Sequence, residues 1–168
     1  PAPTPNPGAG VIPNGGKAEF HVPLGWGGNV AVVENGGGRT FRGDESLIEA
    51  SYIDQGAQWG GKKFDINVSY VTGFSLPITC SCDVGVIAGC NRYLWDLNKC
   101  PNDNGVGSCK NPNRDVANGP AATFFAPCAH AAYTYPNDSS ANSGNGVCGG
   151  SSVTCCVGTS CPRNPRQP

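Results

Sequence analysis

Apolar and polar residues alternate in four stretches of the amino-terminal half, and each alternation predicts a strand with one buried face. Ala18, Phe20 and Val22 interleave with Lys17, Glu19 and His21. A second run, Val30 to Val33, is closed by the turn signal Asn35-Gly36-Gly37-Gly38. The third, Ser46 to Ile53, puts Ile48, Ala50 and Tyr52 on one face and Leu47, Glu49 and Ser51 on the other. The fourth and clearest, Phe64 to Val71, sets Phe64, Ile66, Val68 and Tyr70 against Asp65, Asn67 and Ser69. Helical periodicity is weak. Val86 to Leu97 is apolar but broken at Gly89, which leaves Arg92 to Leu97 as one short helical turn. Short strands between turn clusters predict a mainly β sandwich or barrel.

Composition sharpens this picture. The 168 residues carry 25 Gly and 15 Pro, which favours turns over long helices. Residues 1–16 are Pro/Gly punctuation without periodicity and read as an arm, with one domain over 17–168. All ten cysteines fall from residue 80 onward, in a half that otherwise reads as turns and disulfide-tied loops. None forms a C-x-x-C pair, and His21 and His130 are the only histidines, so no metal site is expected. Five disulfides formed in an oxidising compartment are the simpler account. The chain starts without Met, basic n-region or apolar h-region and reads as a mature, secreted or cell-wall protein. A net charge of −1 gives no nucleic-acid footprint and no charge-driven attack on anionic membranes. No apolar run approaches the ~20 residues that span a bilayer. Nucleophile-elbow, P-loop and dinucleotide motifs are absent, and no cofactor is expected.

Four segments carry a family resemblance. Gly73-Phe74-Ser75-Leu76-Pro77-Ile78 resembles the GFN-[LV]-P-M segment of thaumatin-like proteins, and the preceding Asn67-Val68-Ser69-Tyr70-Val71-Thr72 is similar to their DVSLVD strand. Ser46-Leu47-Ile48-Glu49-Ala50-Ser51 resembles T-L-A-E-F-[ST]. Cys128 with Ala132-Tyr133-Thr134-Tyr135-Pro136 is similar to CPDAYSYP with one extra residue, and Cys82-x7-Cys90 matches a family spacing. The resemblance covers roughly residues 39–160 in the family's order and is closest to short, ten-cysteine, fungal-type members. It implies a flattened β-sandwich, a disulfide-rich loop region and a cleft between them. It also implies glucan binding, antifungal action and, in some members, endo-1,3-β-glucanase activity.

Matching positions pairs Cys80 with Cys148, Cys82 with Cys128, and Cys90 with Cys100. The family's CC-x4-C motif precedes the CPDAYSYP segment, whereas Cys155-Cys156-x4-Cys161 follows it here. The remaining pairs are taken as Cys109–Cys155 and Cys156–Cys161, although ten cysteines allow about 945 pairings.

The family cleft uses an Arg, a Glu and three Asp residues. Arg39 takes the Arg position and Glu49 the Glu, but the aspartate positions hold Asn67, Thr72 and Ala131, or His130 if the extra residue is placed differently. Asn can orient a sugar hydroxyl but cannot act as a general acid or base. A glycosidase needs two carboxyl groups about 5–9.5 Å apart. Asp65, on the face of Asn67, is the substitute partner for Glu49, with Asp44 and Glu45 further candidates if they fold over the cleft. The cleft is therefore read as Arg39, Glu49, Asp65, Asn67, Thr72, Phe74, His130 and Tyr133, and enzyme activity is not the leading expectation.

Trp26 and Trp59 sit in Gly-rich loops, where each either stacks on sugar or plugs a core gap; Trp95 is expected to pack. Asn67-Val68-Ser69 and Asn137-Asp138-Ser139 are glycosylation sequons. The leading expectation is a monomeric binder of cell-wall polysaccharide, β-1,3-glucan above all, with an antifungal or host-contact role. A weak glucanase and a protein-binding effector, acting on host or fungal surface proteins, are the alternatives.

Overall fold

The computed structural model describes residues 10–34, 42–142, 148–149 and 152–168. Three antiparallel sheets make a mainly β, disulfide-rich fold. The first joins β1 (Gly27–Val32), β2 (Ser46–Asp54) and β3 (Lys62–Ser69) in that order. Their alternation works as expected. Ile48, Ala50, Phe64, Ile66 and Val68 face the core, and Tyr52 stacks on its cross-strand partner Phe64 with ring centroids 4.5 Å apart. The second sheet pairs β4 (Gly73–Phe74) with β7 (Cys109–Lys110). The third places β5 (Ile78–Cys82) between β6 (Gly85–Cys90) and β8 (Thr154–Val157).

This third sheet corrects the reading of the cysteine-rich half as turns and tied loops. Within Val86 to Leu97, Val86 to Cys90 is strand and Leu94–Leu97 is helical (α1). Ala18 to Val22 departs the other way. Ala18, Phe20 and Val22 are half-buried and Lys17, Glu19 and His21 exposed, yet the segment forms no strand. Its alternation records one-sided burial of an extended chain; a ladder also needs a neighbouring strand.

One buried cluster gathers the sheets. Tyr70, Phe74, Phe124 and Phe125 are almost wholly buried and meet edge to face, with centroids 5.1, 6.0 and 5.0 Å apart along the series. Trp95 packs on Phe124 at 5.5 Å, as expected of it. Backbones approach closely at Gly89, where a Cβ would lie 2.1 Å from the Ile78 carbonyl oxygen and φ is +90°.

All ten cysteines pair, but not as the resemblance implies. The bridges are Cys80–Cys155, Cys82–Cys148, Cys90–Cys128, Cys100–Cys109 and Cys156–Cys161. Cys80–Cys148, Cys82–Cys128, Cys90–Cys100 and Cys109–Cys155 are therefore corrected, and only Cys156–Cys161 coincides. The cause is β8. It lays Cys155 directly opposite Cys80 in the ladder, with Cα atoms 4.0 Å apart, which displaces Cys148 to Cys82 and Cys128 to Cys90.

Candidate functional site

The outer face of the first sheet carries the polar half of its alternation. Register sets Glu49 directly opposite Asn67 and, on its other side, Asn29. Asp65 lies opposite Ser51 and so diagonal to Glu49. Directly opposed Cβ atoms are about 5 Å apart and diagonal ones about 7 Å. A parallel bridge from Ser69 to Tyr133 brings Tyr133 to the same face at the strand's edge, held by Tyr70 N–H to the Tyr133 carbonyl and Tyr133 N–H to the Val68 carbonyl. Glu49, Asp65, Asn67 and Tyr133 thus form one polar strip.

Its electrostatics bind the strip together. Burial raises the Glu49 carboxyl above its ordinary value, because desolvation penalises its charged form. Burial also raises the Tyr133 phenol, helped by the charges of Asp65, Asp138 and Glu49, while Arg166 pulls it down. The Asn67 Oδ1 is buried and has no hydrogen-bond partner among the described residues. A buried acceptor without a donor costs about 1–3 kcal/mol, which a ligand hydroxyl placed there would relieve.

Arg166 was not singled out by any motif. Its guanidinium donates to the carbonyls of Ile87 (2.6 Å), Asn142 (2.7 Å) and Ala141 (3.3 Å), which fixes it within electrostatic reach of Tyr133. Arg39, the cation that the resemblance implies, lies outside the described residues.

Other expected cleft residues lie elsewhere. Phe74 is wholly buried among aromatic rings and belongs to the core. Thr72 lies beyond the end of β3, where its hydroxyl donates to the Glu45 carbonyl. Asp44 and Glu45 are buried and structural. Glu45 accepts from the N–H groups of Arg42, Gly43 and Asp44, and Asp44 from the Asn104 side chain. His130 is exposed in a left-handed turn at φ 66°, and Ala131 is wholly buried. Of the sequon asparagines, Asn137 is exposed, whereas Asn67 is half-buried within the β2–β3 ladder.

Trp26 is half-buried outside the core cluster, with its Nε1 buried and without a hydrogen-bond partner among the described residues. Its ring lies over the backbone of Gly28, where an added Cβ would stand 2.8 Å away, and its edge meets Phe20 at 6.3 Å. The side chain of Trp59 is outside what is described.

The described residues hold no group of histidine, cysteine and carboxylate side chains arranged for a metal ion, and no helix long and apolar enough to cross a membrane. Set against models of known protein families and against curated proteins, the chain matches none. What it belongs to on these findings is a structural class, the small, disulfide-rich, mainly β domain.

Proposed function

We propose that this is a secreted, wall-associated protein of thaumatin-like type, a flattened sandwich over residues 17–168, that binds cell-wall β-1,3-glucan as a monomer. The observation that carries the reading is the strip itself. A half-buried acid, a second carboxylate, a tyrosine and an orphaned amide oxygen share one face of a rigid sheet. Carboxylates accept pairs of sugar hydroxyls, the amide oxygen takes a third, and the tyrosine ring offers an apolar surface. The β2–β3 ladder fixes these side chains in register before the ligand arrives, which lowers the ordering cost of binding.

The test is retention on insoluble β-1,3-glucan. Tyr133→Ala and Asn67→Leu should each weaken retention about tenfold, the loss of one aromatic surface or one buried hydrogen bond. An unmutated protein that stays in the supernatant would sink the reading.

One feature favours hydrolysis as a second reading. Glu49 and Asp65 are diagonal neighbours with Cβ atoms about 7 Å apart, close enough for their carboxyl groups to reach the separation of about 5–9.5 Å that glycosidases use. Burial moreover moves the Glu49 carboxyl above its ordinary value, the direction a general acid requires. Reducing-sugar release from laminarin that vanishes in both Glu49→Gln and Asp65→Asn would establish it. Release that survives both changes would eliminate it.

A further inference from the structure

Away from the strip, Arg92, Tyr93, Asp96, Leu97 and Thr159 line a shallow, solvent-open depression of about 280 Å³. It is built on α1, the two residues before it and the turn after β8, so it shares no residue with the first sheet's outer face. Its wall is aromatic. Tyr93 is half-buried and rests against the wholly buried Phe74, with centroids 6.4 Å apart, so the ring is held in place.

Polar groups surround that ring. Glu34 and Asp96 both lie within electrostatic reach of its phenol, which burial and these two charges hold above its ordinary value. Neither carboxylate has an ion-pair or hydrogen-bond partner among the described residues. Arg92 joins them, with its guanidinium anchored on the Pro168 carbonyl, and Thr159 adds a hydroxyl.

The chemistry discriminates among ligands. An anion would face Glu34 and Asp96, and a simple cation would face Arg92. At about 280 Å³ the space falls just below the range of drug-sized ligand sites, about 300 to 1,000 Å³, and suits a single small ring. A pyranose ring meets every condition. It has an apolar C–H face for the tyrosine and neighbouring hydroxyls that donate to a carboxylate while accepting from a guanidinium.

We infer that this depression is a second saccharide subsite, taking one neutral pyranose ring against Tyr93 with its hydroxyls held by Asp96 and Arg92. The inference rests on the carbohydrate reading for its ligand class, and not on the strip. Two subsites on one stapled chain would engage neighbouring strands of a wall polymer, where the second contact forms at an effective concentration in the millimolar range.

The experiment follows backbone amide shifts of the isotope-labelled chain while laminarihexaose, cellohexaose or chitohexaose is raised to millimolar concentration. Amides from Arg92 to Leu97 and at Thr159 should move with at least one of the three. Tyr93→Ala should then weaken that binding about tenfold. Asp96→Asn, an exposed change that leaves the packing intact, should weaken it about threefold. Glu49→Gln should leave these shifts as they are. Silence at these amides with all three sugars overturns the subsite, as does movement that both variants leave unchanged. Movement at Glu49, Asn67 and Tyr133 alone overturns the subsite and keeps the carbohydrate reading; movement around Tyr93 alone keeps the subsite and overturns the strip.

Discussion

Ser46→Ala tests how far this fold depends on two buried hydroxyls. Ser46 opens β2 with no exposed surface, and its hydroxyl works in three directions. It donates to the Leu76 carbonyl at 2.8 Å and accepts from the N–H groups of Ser75 at 3.0 Å and Leu76 at 3.2 Å. Ser75 reciprocates: its oxygen accepts from the Ser46 N–H at 3.0 Å and donates to the Val32 carbonyl at 2.5 Å. The pair therefore ties the end of β1 and the start of β2 to the chain between β4 and β5. Alanine removes one oxygen and leaves almost no cavity, so the cost lies in the partners: the buried Ser75 N–H and the half-buried N–H and carbonyl of Leu76 lose their bond. At about 1–3 kcal/mol for each unsatisfied group, partly offset by relaxation, the loss should be about 3 kcal/mol. For a chain of this size that lowers Tm by about 6–12 °C. Urea unfolding with disulfides intact measures it, with the exposed Ser160→Ala as a control expected within about 0.5 kcal/mol of wild type. A loss below about 1 kcal/mol for Ser46→Ala would refute the claim that these bonds hold the sheets together.

Three further outcomes are expected. Gly89→Ala combines φ +90° with a Cβ 2.1 Å from a backbone oxygen, and should cost more than about 4 kcal/mol or abolish recovery of oxidised protein; near-normal yield and Tm would contradict it. Glu49 has a raised folded-state pKa, so its stabilisation is complete below its ordinary value near 4.5 and is lost as pH rises through the folded value. Glu49→Gln removes that slope, and a stability difference from wild type that stays flat from about pH 4 to 7 would contradict the assignment. Asp138, 1% exposed, accepts from the Thr134 N–H (3.1 Å), the Thr134 hydroxyl (2.8 Å) and the Ser140 hydroxyl (2.5 Å). Asp138→Ala should cost about 3 kcal/mol in urea unfolding, and Asp138→Asn less because one acceptor oxygen survives; equal losses would show that the carboxylate acts otherwise.

The strands that could be read from sequence are those with one wet face. In Phe64 to Val71 the polar positions Asp65 and Asn67 look outward, and period-2 patterning exposes the strand and its face together. β5 and β6 gave no such signal. Ile78, Thr79 and Cys80 are all buried, as are Ala88, Gly89 and Cys90, so neither strand shows the alternation that identifies a half-wet one. The disulfide map failed for the same reason, since Cys80–Cys155 depends on β8, which the pattern did not show. At the candidate site, that Glu49, Asp65 and Asn67 share one sheet face was legible because register follows from alternation, whereas Tyr133 entered through its motif and reaches that face by an isolated bridge. Phe74 was misassigned because a motif position does not tell burial from exposure. Arg166 was invisible because backbone carbonyls hold it, and a carbonyl leaves no mark in the side-chain sequence.

The order of the third sheet also has a consequence for manufacture. Its central strand β5 is translated early, but the bridge from Cys80 closes across 75 residues to Cys155 and that from Cys82 across 66 to Cys148. As a nascent chain enters an oxidising lumen, Cys80, Cys82, Cys90 and Cys100 all emerge before either late partner exists. The nine-residue Cys100–Cys109 loop can close first and Cys90–Cys128 next. Until the last stretch is released, Cys80 and Cys82 have only wrong neighbours within reach. Yield in a foreign host should therefore follow the supply of disulfide isomerase more closely than the rate of translation, and a truncation before β8 should accumulate as scrambled, misbridged product.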